Sequence, residues 1–146
     1  MKKIVSNSLI SIFAVFAIFG CSSKKVSKVN SLPVIETLIN ASESWEGETF
    51  VYPEGEAAMT LLRITAPAGF RTPVHTHPQP GVAYIVKGQL ECVITANKTK
   101  IFRSGESFAT TFGSSPHYCE NIADEDLLVY VAYAGLKGQP VTVNLE

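Results

Sequence analysis

Residues 69–88 read Gly69-Phe70-Arg71-Thr72-Pro73-Val74-His75-Thr76-His77-Pro78-Gln79-Pro80-Gly81-Val82-Ala83-Tyr84-Ile85-Val86-Lys87-Gly88. Side chains alternate along a strand, so His75 and His77 point to the same face and both imidazoles can reach one point in space. Pro73 stiffens the approach, and Pro78 ends the strand because it has no N–H to give to a ladder. After the Pro78-Gln79-Pro80-Gly81 turn comes Val82–Lys87, rich in β-branched and aromatic residues and closed by Gly88. The stretch therefore predicts strand, turn, strand, with two histidines on one face. Taken alone, such a pair reads more readily as two surface histidines.

The same pattern continues outward on both sides. From Leu32 on, no segment of helical length carries apolar residues at helical spacing. Short runs bounded by Gly, Pro or Asn recur instead: Ala58–Ala66, Val74–His77, Val82–Lys87, Gln89–Ala96, Thr99–Phe102, Ser107–Phe112, His117–Asn121, Leu127–Ala134 and Val141–Val143. About nine strands with turns every 8–12 residues predict an all-β antiparallel sandwich or barrel. The third histidine, His117, opens one of these strands after the Gly113-Ser114-Ser115-Pro116 turn. Three neutral imidazoles converging from two strands would make a divalent-metal site with open positions.

These residues resemble the two motifs of the cupins. The first, G-x5-H-x-H-x3,4-E-x6-G, is matched by Gly69, His75, His77 and Gly88, with Gly81 where the Glu belongs. The second, G-x5-P-x-G-x2-H-x3-N, is matched by Gly105, Gly113, His117 and Asn121, with Thr111 for Pro and one extra residue before the histidine. The resemblance implies a single-domain antiparallel jelly-roll β-barrel over residues 32–146. It also implies one divalent metal ion on His75, His77 and His117, with Fe, Zn, Mn, Cu and Ni all compatible. Without the carboxylate a bound ion keeps its full positive charge, which favours small anionic ligands and metal-assisted, dioxygenase-like chemistry. The alternative is a non-catalytic barrel that captures a metal or small ligand, degenerate through loss of the Glu.

Strand parity places Cys119 and Asn121 on the face of His117. Cys119 is then a further ligand, a small buried residue, or half of a disulfide with Cys92, while Asn121 suits either a turn or the substrate. Arg71 shares the parity of His75 if the strand extends back that far, and would complement an anion at the mouth. Tyr84 could assist chemistry only by facing inward. Trp45 and Tyr52 are placed to cover one end of the barrel. Pairing of two copies is expected, as many cupins dimerise.

The first twenty residues read differently from the rest. Lys2 and Lys3 precede an apolar run, Leu9–Phe19, too short to span a bilayer and right for a signal peptide. Ile18-Phe19-Gly20-Cys21 resembles the lipobox of bacterial lipoproteins, which implies cleavage before Cys21 and acylation of its sulfur. The polar residues 21–31 then read as a tether, and the chain as an exported, membrane-anchored lipoprotein facing the periplasm or the cell surface. Twelve Lys and Arg scattered against thirteen Asp and Glu give no basic stripe, so no nucleic-acid partner is expected.

Overall fold

The computed structural model describes residues 32–94 and 98–145; the expected signal peptide, Cys21 and tether lie outside them. Residues Ile35–Glu146 form one compact unit. It contains nine strands: β1 Ala57–Ala66, β2 His75–His77, β3 Gly81–Lys87, β4 Gln89–Ile94, β5 Lys98–Arg103, β6 Ser107–Ala109, β7 Gly113–Asn121, β8 Leu127–Leu136 and β9 Val143–Asn144. No helix occurs among the described residues. The strands pair antiparallel into two sheets, β1-β8-β3-β6 and β5-β4-β7-β2-β9; the alternating runs predicted such a sandwich or barrel, and the resemblance implied its jelly-roll form.

The chain changes sheets where its punctuation lies. Between β3 and β4 a single residue, Gly88, makes the crossing at φ +89°, and a Cβ there would meet Leu127 Cα at 3.0 Å. Only glycine serves at such a position. Inward residues of both sheets form the core: Ala83, Ile85, Phe108, Val129 and Val131 from one, Cys92 and Phe102 from the other. Phe102 and Phe108 stack at 3.7 Å, and Trp45 meets Phe102 edge-on at 6.0 Å. Cys92 and Cys119, directly opposed on β4 and β7, form a disulfide with Cα atoms 4.1 Å apart.

Strand boundaries shift from expectation at several ends, and three of the shifts have a clear local reason. β6 stops at Ala109, and the next two threonines turn to other partners: Thr110 Oγ1 donates to Gly81 O, and Thr111 Oγ1 accepts from Trp45 Nε1 at 3.0 Å. β7 begins four residues early, at Gly113, because the Gly-Ser-Ser-Pro segment is a bulged extension of the strand. β9 excludes Val141, whose carbonyl is spent on a histidine. Trp45 does reach the interior, but Tyr52 is 76% exposed and covers nothing.

Candidate metal centre

β2 is only three residues long, and its two inward positions are His75 and His77. On β7, His117 is the direct register partner of His75. From His75 to His77 the ladder advances two residues on β2 but four on β7, from His117 to Gly113. The bulge absorbs the extra residue of the second motif and leaves His117 in register. Ring centroids lie 4.2 Å (His75–His117), 4.8 Å (His75–His77) and 5.0 Å (His77–His117) apart. One nitrogen from each ring falls within 4.8 Å of the other two, and all three residues are buried.

The backbone sets the orientation of each ring. His75 Nδ1 donates to Pro73 O at 2.8 Å, His77 Nδ1 to Val141 O at 2.8 Å, and His117 Nδ1 to Ser115 O at 3.1 Å. A carbonyl only accepts, so the proton sits on Nδ1 in every ring and each Nε2 lone pair is left free. This is the tautomer and support that a metal-ligating histidine needs. Burial pushes His77 and His117 down to about 4, against the partial upward pull of those carbonyls, and lowers His75 as well. All three rings are therefore neutral at ordinary pH, the ligating form. The donor set, its common tautomer and its burial fit a divalent ion.

The rings open on a cavity of about 240 Å³ between the sheets. Its far walls are apolar, with Leu62, Ile64, Phe108, Val129 and Val131 prominent, and among the described residues no Asp, Glu, Lys or Arg lines it.

The other candidate residues are placed elsewhere or are already engaged. Arg71 lies outside the cavity because the strand does not extend back to it. It bridges to Glu120, pairs with that carboxylate at 3.5 Å and stacks on Tyr118 at 3.6 Å. Tyr84 pairs with Tyr130 and alternates with the inward Ala83 and Ile85, so it faces away from the cavity. Cys119 does line the cavity, but as half of a disulfide it offers no thiolate. Asn121 is buried and structural: Nδ2 donates to Ala66 O and Glu125 O, and Oδ1 accepts from Ala123 N–H. It ties the β7–β8 turn to the end of β1.

Two residues have roles that the sequence did not reveal. Gln79 is buried against Gly135, where any Cβ would collide with its amide, and its Nε2 donates to Gln139 O and Pro140 O. It thereby fixes the segment that presents Val141 O to His77. Tyr133 is 4% exposed, lines the cavity and places its hydroxyl 3.4 Å from both His77 nitrogens. Burial drives its phenol well above the usual range, so it stays protonated. The signal for Tyr133 was Gly81, the unexpected glycine that proves to be its register partner.

A family profile described as "Cupin domain" matches residues 61–133, half of the chain. The chain is a cupin. No curated protein matches it. Solved structures similar to this cupin include an oxalate decarboxylase of Bacillus subtilis studied for its Mn(II) centers, at 22% identity and TM-score 0.52 over 60% of this chain and 24% of that one. A Lactobacillus farciminis oxalate decarboxylase formate complex gives 21% and 0.51, over 60% and 26%. The polyketide cyclase RemF of Streptomyces resistomycificus gives 17% and 0.50, over 63% of both chains. The cupin thus spans less than two thirds of each, and at these identities the likeness shows the fold alone.

Proposed function

We propose that this cupin holds one divalent metal ion on Nε2 of His75, His77 and His117 and uses it to bind a small anion with an apolar body. The observation that carries this reading is the set of three Nδ1–carbonyl hydrogen bonds, which leave three lone pairs free in one buried group. A bound divalent ion would supply Lewis acidity and open positions for a ligand. The chain's own contribution is selection: among the described residues no fixed charge in the cavity opposes an anion, and about 240 Å³ of largely apolar space admits only a small one. Metal-assisted turnover of that anion, in a dioxygenase-like or other reaction, belongs to the same proposal. The absence of any carboxylate or amine from the lining favours a second reading, capture without turnover, because no strong general base is at hand.

Elemental analysis of the chain purified from its own membrane tests the site, with one ion per chain expected and none refuting it. Oxygen uptake and product formation across small carboxylates, diketones and thiols then separate the two readings; silence with every metal leaves capture.

Export and lipid anchoring through Cys21 are part of the proposal. They are supported by the lipobox-like Ile18–Cys21 and by the Cys92–Cys119 bridge, a bond typical of oxidising compartments. Pairing of two copies is also proposed, across the outer face of β1 and β8. There Met59 is 76% and Leu61 69% exposed beside Ala134 and Ala132, an apolar patch that the same patch of a second copy would cover. Sedimentation should give a dimer mass, and Leu61→Glu a monomer; a monomeric parent chain would remove this part.

A further inference from the structure

The missing carboxylate of the first motif has a structural counterpart. Gly81 on β3 is the direct register partner of Tyr133 on β8. A Cβ built on Gly81 would meet Tyr133 Cδ1 at 2.6 Å, Cε1 at 2.8 Å and Thr110 Oγ1 at 2.9 Å. The space in which any side chain at 81 would begin is therefore taken by the phenol ring. A glutamate at 81 and a tyrosine at 133, in its present rotamer, exclude each other. The ring lines the same cavity as the histidines and packs on His77 at 5.2 Å between centroids.

The hydroxyl of Tyr133 is poorly served within the protein. Its neighbours are the two nitrogens of His77, each at 3.4 Å. Of these, Nδ1 already donates to Val141 O at 2.8 Å and has no lone pair to offer. Nε2 is the nitrogen that a metal would claim. With that nitrogen occupied, a buried O–H facing the cavity keeps no acceptor among the described residues, and such a group ordinarily finds one. A ligand beside the ion would supply it.

We infer that the Tyr133 hydroxyl stands in for the absent carboxylate, as a hydrogen-bond donor to the anion bound at the three-histidine centre rather than as a ligand of the metal. The inference rests on the reading of His75, His77 and His117 as the metal site. It changes the character of the centre: a carboxylate at 81 would bind the ion and cancel one charge, whereas the phenol leaves the charge intact and adds a donor. The anion is then held at two points, by the ion and by the O–H. The substrate class is accordingly one with two nearby acceptor atoms, such as a carboxylate or the enolate of a diketone.

The test uses the full chain, Co²⁺ as the metal and azide as the anion, each followed by visible absorbance. Tyr133→Phe keeps the ring and removes only the hydroxyl. The expected result is Co²⁺ affinity within about threefold of the parent and azide affinity lowered about tenfold, equivalent to about 1.4 kcal/mol. Unchanged azide affinity overturns the inference. So does loss of Co²⁺ from a variant with unaltered far-ultraviolet circular dichroism and melting temperature, because the phenol would then be a ligand. Failure of the parent chain to hold Co²⁺ would instead sink the metal site itself, a separate result. Gly81→Glu should lower the melting temperature sharply, and Gly81→Glu with Tyr133→Ala should recover part of that loss; simple additivity of the two changes would overturn the mutual exclusion.

Discussion

An imidazole offers two nitrogens, and in this chain the backbone decides which is left for a ligand. Pro73, Ser115 and Val141 contribute nothing but carbonyl oxygens, yet they fix the tautomer of all three rings. His77→Ala and His117→Ala are each expected to abolish stoichiometric metal binding, as read by elemental analysis after dialysis. Stoichiometric metal in either variant would refute the assignment. The same residues set a pH dependence. An unfolded histidine titrates near 6.5, whereas folded His77 and His117 titrate at about 4. Between these values the unfolded chain takes up protons that the native chain refuses. Stability of the metal-free protein is therefore full above about pH 6.5 and falls as the pH drops toward 4, on the order of 2 kcal/mol for each of the two histidines by pH 5. Urea unfolding of metal-free protein at pH 7.5 and pH 5 measures it, and equal midpoints would contradict it. In the metal-bound protein, protons compete for the nitrogens mainly near and below pH 5, so affinity should hold from pH 7 to about 5 and then collapse.

Strand parity was the part of the site most legible in the sequence, and also where reading went wrong. It placed His75 with His77 correctly because β2 covers both. It failed for Arg71 because the ladder is broken at Thr72–Val74, and alternation means nothing across a break. Tyr84 could have been excluded by counting from Ala83 and Ile85, had it been known which parity faces in. Cys119 followed parity inward, but whether it met Cys92 depended on the β4–β7 register, which no local pattern reveals. That bridge closes a sequence separation of 27 residues. On chain entropy alone it contributes about 3–4 kcal/mol. Cys92→Ala with Cys119→Ala should lower unfolding stability by about 3 kcal/mol, measured by urea denaturation. A change below about 1 kcal/mol would mean that the bridge constrains little. Ile85, fully buried on β3, should cost about as much on truncation to Ala.

For the molecule as a whole, the jelly roll was legible because its signals are repeated: short alternating runs, glycine at the crossings and two spaced histidine motifs. Gln79 and Tyr133 were not legible. Their roles depend on which residue of a distant strand lies opposite, and each is marked in sequence only by a glycine, Gly135 or Gly81. The proposed lipid anchor would reside in residues 1–21 and has its own test. Cells fed radiolabelled palmitate should label the parent chain, and Cys21→Ser should abolish both label and membrane retention; an unlabelled parent chain would end the lipoprotein reading.

His77 takes its orientation from Val141, 64 residues further on. All three histidines are therefore translated well before the carbonyl that readies the second of them. A truncated chain stopping at Gly138 would keep every presumed ligand and still lack a competent centre, as would one in which a fused tag pulled residues 139–142 away. Apo protein prepared with the affinity handle at that end deserves to be remade with it elsewhere before a missing metal is taken as a property of the chain.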